Sequence, residues 1–186
     1  MSQAQIEQYY IPLLHRLAHG EWFTSRTSSC ALFPPIYDKV SSPLQDELRR
    51  SFAALGTDDT PMVRRAAAKW LGVCPHFFSH MTRVALLTLN ICDNKALVKK
   101  FAKTHVLGDG LAIYRRLQQD DQDSVRLLTV EDLIAIAQSF SPAEVKDNLL
   151  KQIRQTVGDK SWRVRYMSAS HFNEVGGLKS HTCYHH

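Results

Sequence analysis

Apolar and polar residues recur along the chain in four copies, and each copy carries the same arginine after a short polar stretch. The four arginines are Arg26, Arg64, Arg126 and Arg165. If each is numbered zero, bulky residues recur at −12, −9 and +7, and small residues recur at +3 and +4. The residues at −12 are Leu14, Phe52, Tyr114 and Ile153, those at −9 are Leu17, Leu55, Leu117 and Thr156, and those at +7 are Phe33, Leu71, Leu133 and Phe172. Positions −12 and −9 share a helical face, which predicts one helix before the arginine and a second, closely packed helix after it.

The repeated unit predicts an all-α fold in which helix pairs stack side by side as an α-solenoid. One pair cannot bury its apolar face alone and must pack against copies of itself. We predict about four pairs in an array over 1–175, with repeats near 4–40, 41–72, 101–140 and 141–175. Pro34 and Pro35 must end or kink the second helix of the first pair, because each lacks an N–H donor.

An aspartate lies six residues before the arginine in three of the four copies. The three are Asp58, Asp120 and Asp159, and Gly20 takes this place in the first copy. The recurrence predicts a ladder of Asp–Arg pairs, within one repeat or between adjacent repeats, that fixes the stacking register. In the same turns, Thr60 and Ser161 are predicted to cap the second helices, and Pro61 suits the first helical position.

The spacing between the arginines is irregular at one place. The intervals 26 to 64, 64 to 126 and 126 to 165 are 38, 62 and 39 residues, so the second is about 23 residues too long. We assign 73–100 to an insertion of uncertain structure and 176–186 to a tail. Two interpretations of the insertion stay open: an extra helix over 81–92 outside the stack, or translated non-coding sequence, which the abrupt loss of the repeat favours. Without polar capping repeats at its ends, the array should expose apolar faces and tend to associate.

Composition excludes several classes of protein. Hydrophobic residues make up 44% of the 186 residues, charged residues make up 22%, and the net charge is +5, which is typical of ordered soluble proteins. No apolar run approaches the ~20 residues of a membrane-spanning helix. Four irregularly spaced cysteines and the lack of a leader sequence predict a reducing compartment, the cytoplasm with the nucleus as a second location.

Four strings around the arginines resemble consecutive HEAT repeats of the scaffold (A, 65-kilodalton regulatory) subunits of protein phosphatase 2A. The strings occupy 20–26, 58–68, 121–128 and 159–167. The resemblance, to repeats of the N-terminal half interrupted by an insertion, implies a non-catalytic scaffold without a cofactor that binds an interchangeable regulatory B subunit. It also implies a fragment: the catalytic subunit would bind only if missing C-terminal repeats were supplied.

Large or apolar side chains occupy the turns inside the repeats, where small polar residues would be ordinary. Exposed Trp and Arg are enriched in binding hot spots, and turns of stacked repeats line up as a ridge. With the resemblance, this implies B-subunit contacts by Trp22, Phe23, Asp59, Thr60, Pro61, Met62, Arg65, Ser161, Trp162 and Arg163. The alternative is that each aromatic residue folds back over its own helix pair. The four repeat arginines are assigned to the internal ladder instead.

Two other kinds of chemistry have weaker support. Metal-ligand residue types cluster at Cys74, His76, His80 and Cys92, and again at His181, Cys183, His185 and His186. Their spacing matches no common zinc site, so we predict no metal site. A rival class is a generic basic HEAT module that binds nucleic acid or an acidic cargo. Its candidates, Arg49–Arg50 and Arg115–Arg116, fall on first helices and are expected on a solvated face, so nucleic acid is not the expected partner.

Overall fold

A computed structural model describes residues 2–72 and 96–171. These residues form eight helices and contain no strand. The helices are α1 (Gln3–Gln5, Ile6–Tyr10 and Ile11–Ala18), α2 (Phe23–Ser29), α3 (Ser42–Leu55), α4 (Pro61–Leu71), α5 (Lys103–His105, Val106–Gly110 and Leu111–Gln118), α6 (Asp123–Arg126 and Thr129–Ala137), α7 (Pro142–Val157) and α8 (Trp162–Ser170). Short 3₁₀ turns at Cys30–Leu32, Tyr37–Lys39 and Val98–Lys100 lie between them.

The helices pair in chain order, and the pairs stack. The second helices α2, α4, α6 and α8 contact one another in a row, and the first helices α1, α3, α5 and α7 lie on the other side of the stack. In α1 and α5, a π-helical turn begins twenty residues before the repeat arginine, at Ile6 and Val106. The predicted all-α solenoid of about four helix pairs is confirmed.

The repeated apolar rows form the core between neighbouring pairs. At position −12, Leu14, Phe52 and Tyr114 are fully buried, and at +7, Phe33, Leu71 and Leu133 are buried. The small residues at +3, which are Ser29, Ala67, Thr129 and Ser168, are buried as well. Helix α2 ends at Ser29 and continues only as the 3₁₀ turn before Pro34, as expected when proline removes a helical N–H donor.

The N-termini of the helices are stabilised in two different ways. A proline occupies the first or second position of α3, α4 and α7, and Ser141 with Glu144 forms a reciprocal capping box on α7. The predicted hydroxyl caps are wrong: Thr60 and Ser161 stand at the cap positions, but neither side chain bonds the helix start. The aspartate two residues earlier closes each turn instead; for example, Asp58 Oδ1 accepts the Thr60 N–H at 2.8 Å.

The long interval between the second and third repeats leaves the stack intact. The Leu97 N–H donates to the Trp70 carbonyl at 3.1 Å, so the chain on either side of 73–95 meets at one place. Residues 96–98, which the sequence assigns to the insertion, are buried in the core. Both interpretations of 81–92, and the predicted tail 176–186, fall outside the described residues.

Candidate partner-binding ridge

The first three repeat arginines each bind the aspartate of the following repeat. Nε and Nη2 donate to the two carboxylate oxygens at 2.7 and 3.2 Å for Arg26–Asp58, 2.5 and 3.1 Å for Arg64–Asp120, and 2.8 and 3.0 Å for Arg126–Asp159. Bidentate Arg–carboxylate pairs are geometrically specific as well as strong. Of the two arrangements left open by the sequence, the structure therefore has the one that joins adjacent repeats.

The third guanidinium nitrogen of each arginine binds its own repeat. Arg126 Nη1 donates to the carbonyls of Asp120 at 2.7 Å and Asp121 at 3.1 Å. In the first copy, Arg26 Nη1 donates to the corresponding carbonyls of Gly20 and Glu21. Gly20, which stands in place of the aspartate in the first copy, therefore still supplies the backbone carbonyl that the arginine binds. Each guanidinium fixes the turn of its own repeat and the next repeat at once.

The ladder carboxylates are held ionised. For Asp58, burial opposes ionisation, but hydrogen bonds from Arg26 and the Thr60 N–H outweigh it, so the pKa lies below its ordinary value. The pKa values of Asp120 and Asp159 are lowered in the same way, against the same effect of burial. These three pairs therefore contribute stability above the ordinary carboxyl pKa and lose it as the pH falls through the lowered values.

The fourth arginine forms only half of the pattern. Arg165 Nη1 donates to the carbonyls of Asp159 at 2.7 Å and Lys160 at 3.1 Å. Within 2–72 and 96–171, no carboxylate binds its remaining nitrogens. The ladder among the described residues thus contains three complete rungs and one incomplete rung.

The first turns of the second helices lie directly beside the ladder and form a ridge, which we define as positions −6 to +1 of each repeat. Trp22 is 75% exposed and Trp162 is 67% exposed, and Met62 is also exposed between them along the stack. The alternative in which the aromatic residues cover their own helix pair is therefore wrong for both tryptophans. Three large side chains project from turns that the arginines hold in place.

All ten residues predicted to bind a partner lie on this ridge, but three of them also make contacts between repeats. The Ser161 hydroxyl donates to Asp123 at 3.0 Å, and Arg163 Nη1 lies 3.6 Å from the same carboxylate. The Thr60 hydroxyl accepts from Arg26 Nη2 at 3.4 Å. Asp59, Pro61 and Arg65 are exposed. Their assignment to partner binding stays a prediction.

Sequence reasoning missed a second clamp between repeats, on the face of the first helices. Arg49 is 4% exposed, so the expectation of a solvated side chain is wrong for it. Its Nε donates to Asp109 of the third repeat at 2.6 Å, Nη1 donates to the Tyr37 hydroxyl at 2.5 Å, and Nη2 pairs with Asp46. Arg50, Arg115 and Arg116 are exposed, as expected. The sequence does not predict this contact of Arg49, because its partner Asp109 lies on the far side of the insertion.

A buried acid also lies where the second and third repeats meet. Neither carboxyl oxygen of Asp132 has a hydrogen-bond partner, and its backbone packs so closely on Gly72 that a Cβ there would lie 2.5 Å from the Asp132 Cα. Burial and the neighbouring Glu131 raise the pKa of Asp132 well above its ordinary value, although the nearby Gly72 N–H acts in the opposite direction. The spacing of the repeated residues does not predict that an acid is buried at this position.

Neither a metal site nor a membrane-spanning helix is found among the described residues. No three His, Cys, Asp or Glu side chains in 2–72 and 96–171 are placed to hold a metal ion. No helix in this part of the chain is long and apolar enough to cross a membrane. Both Cys/His clusters noted in the sequence lie elsewhere, outside the described ranges.

Fold and ridge together define the class: an α-solenoid of HEAT type whose turns, rather than a cavity, form the candidate site. Among solved structures, the crystal structure of Cex1p is similar, with a TM-score of 0.68 and 14% sequence identity; the match covers 100% of this chain and 32% of the Cex1p chain. At this identity, the similarity shows the fold alone. No model of a known protein family matches the sequence.

The particular relatives are the A subunits of protein phosphatase 2A. The chain is 38% identical to the regulatory A subunit of protein phosphatase PP2A from Schizosaccharomyces pombe over 174 residues, covering 92% of the chain and 26% of the relative. It is 41% identical to the probable serine/threonine-protein phosphatase PP2A regulatory subunit of Caenorhabditis elegans over 145 residues, covering 78% and 21%. Over 67 residues, it is 55% identical to the beta isoform of the human 65 kDa regulatory A subunit, covering 36% and 11%.

The resemblance noted in the sequence is therefore confirmed: the chain is homologous to the regulatory A, or scaffold, subunits of protein phosphatase 2A. It spans about a quarter of the length of the first two relatives. These relatives are named as regulatory rather than catalytic subunits, which supports the prediction of a non-catalytic protein.

Proposed function

We propose that the chain is a scaffold segment of protein phosphatase 2A that binds a regulatory B subunit through the ridge. The observation that supports this proposal is the row of exposed Trp22, Met62 and Trp162 on turns fixed by partly buried ion pairs. Large apolar groups on a rigid frame lose little conformational entropy on binding, which suits them to act as anchors. The catalytic subunit joins such a complex only if further repeats are supplied, and we place the protein in the cytoplasm and the nucleus.

The proposal is tested by comparing two similarly exposed aromatic residues on and off the ridge. Trp162, 67% exposed, lies on the ridge, whereas Tyr9, 63% exposed, lies on the first helix α1, outside it. Truncation of a hot-spot tryptophan costs about 2 kcal/mol or more, so Trp162→Ala should weaken binding of a purified B subunit by at least about thirtyfold. Tyr9→Ala should leave binding unchanged, and both variants should keep the helicity and melting temperature of the parent chain.

A second ridge variant separates binding from folding at another repeat. Pro61 occupies the first helical position of α4 with its side chain exposed, a site that tolerates other residues. Pro61→Arg should therefore weaken B-subunit binding without lowering the melting temperature. Matched losses of folding and binding in both ridge variants, or equal binding by Trp162→Ala and Tyr9→Ala, would contradict the proposal.

A further inference from the structure

A groove of about 380 Å³ lies on the opposite side of the stack from the second helices, between α3 and α5. Its floor is apolar: Ala53 is half-buried and Ile113 is buried. At one end the helices touch, because a Cβ at Gly56 would lie 3.5 Å from Ile113 Cγ2. The groove is therefore a depression between the second and third repeats that ends at Thr57, next to the first ridge residue of the second repeat.

Three arginines and one aspartate line the groove, so its lining is net positive. Arg50 stands on α3 and Arg116 on α5; both are exposed, and neither has an ion-pair partner among the described residues. The third arginine of the lining, Arg49, pairs with Asp109, which also lines the groove, and with Asp46. On its far side, Arg116 borders the acidic turns at Asp59 and Asp121, but no carboxylate there lies within 4 Å of the guanidinium. Each of the two helices that form the groove thus contributes one arginine without an ion-pair partner in the described part of the chain.

We propose that this groove binds an acidic, apolar linear segment of a partner protein. Carboxylates of the segment would pair with Arg50 and Arg116, and an apolar side chain between them would rest on Ala53 and Ile113. Guanidinium groups recognise carboxylates through paired hydrogen bonds, and a depression of this volume holds two or three side chains.

The floor and the surrounding charges favour a peptide over a nucleic acid. A nucleic acid needs a continuous positive track along its phosphates, whereas acidic Asp46, Glu47 and Asp147 interrupt the basic residues on the face of the first helices. An apolar floor offers nothing to a phosphate but can bury an aliphatic side chain. Binding of a nucleic acid is therefore the alternative that the test must distinguish from binding of an acidic peptide.

The test is an NMR titration that follows the methyl groups of Ile113 in the complete chain. The probes are acetyl-Glu-Leu-Glu-amide, the matched acetyl-Lys-Leu-Lys-amide, and oligouridylate. The acidic peptide should shift the Ile113 methyl signals with a saturable curve, and the lysine peptide should not. In the double variant Arg50→Gln/Arg116→Gln, the midpoint should rise about tenfold, because two exposed charge pairs are lost. Arg154→Gln, an exposed arginine on α7 outside the groove, should leave the midpoint unchanged.

Three results would overturn the inference. One is the absence of any Ile113 shift at about 5 mM acidic peptide. Another is an equal response to the lysine peptide or in the double variant, since the arginines would then not select the ligand. The third is a saturable response to oligouridylate alone that the double variant abolishes, which would assign the groove to nucleic acid. Circular dichroism melts of the variants, whose changed side chains are exposed, exclude loss of the fold as the cause.

Discussion

Replacing Arg126 by alanine, with Arg165→Ala as its matched control, isolates the carboxylate half of one ladder rung. Both arginines hold position zero of their repeats, and in both Nη1 donates to two backbone carbonyls at 2.7 and 3.1 Å. Within the described residues, only Arg126 of these two also binds a carboxylate, that of Asp159, at 2.8 and 3.0 Å. The difference between the two variants therefore measures the contact between repeats.

The expected magnitude follows from what the truncation leaves behind. The side chains of Arg126 and Asp159 are 5% and 10% exposed. Without the guanidinium, this carboxylate keeps only the Ser161 N–H at 2.7 Å. Removing one partner of a buried pair costs about 3 kcal/mol at the lower end of measured values. Loss of the exposed carbonyl contacts of Arg165 costs about 1 kcal/mol. The difference of about 2 kcal/mol corresponds to about 4 to 8 °C in melting temperature for a chain of this size.

Urea and thermal unfolding followed by far-ultraviolet circular dichroism measure both variants. Equal destabilisation within about 0.5 kcal/mol would refute the reasoning, because the bidentate pair would then add nothing beyond the backbone contacts. A double-mutant cycle with Asp159→Ala provides the independent check, with an expected coupling of about 1 to 3 kcal/mol. A coupling of zero would contradict the ladder as a link between repeats.

Three further variants test the junction of the second and third repeats. Deleting 73–95 and joining the ends through a short glycine linker should preserve cooperative melting of the stack, because the chain on either side already meets; loss of cooperative melting would contradict this. Asp132→Ala should stabilise by about 1 to 3 kcal/mol at pH 7, since an unpartnered buried acid is removed. Because the pKa of Asp132 is raised in the folded state, the parent chain loses stability as the pH rises above the ordinary carboxyl pKa. In melts from pH 4 to pH 8, the melting temperature of the variant should therefore exceed that of the parent by a growing amount. A constant difference would refute the raised pKa of Asp132. Arg49→Ala should cost about 3 kcal/mol while Arg50→Ala stays within about 0.5 kcal/mol, and equal urea midpoints would show that burial of Arg49 does not matter.

The periodic part of the structure could be predicted from the sequence because packing imposes it directly. Rows of bulky residues at −12 and +7 must face neighbouring helices, so their spacing gives the helix pairs and their stacking. Whether an aspartate meets the arginine of its own repeat or that of the neighbouring repeat could not be read in this way. Both arrangements require the same residues at the same spacing, and only the crossing geometry of the helices decides between them.

The predictions that failed concern residues with competing partners. Thr60 has the right type and position for a helix cap, but Asp58 closes the turn and Arg26 takes the hydroxyl. Arg49 resembles its exposed neighbour Arg50 in sequence, and its burial depends on Asp109, which follows the long interval. Local propensity states which bonds a side chain can form, whereas tertiary contacts decide which of them it does form.

The ladder and the ridge are adjacent in sequence and in space, which leads to different effects for substitutions a few residues apart. In the fourth repeat, the exposed Trp162 lies three residues before Arg165 and three after Asp159, the residue that Arg126 binds. Loss of that rung would free the turn that presents the tryptophan, so Arg126→Ala should lower both stability and B-subunit affinity. Trp162→Ala should lower affinity alone. If Arg126→Ala weakens binding at temperatures where the fold is fully populated, the rung positions the ridge as well as stabilising the stack.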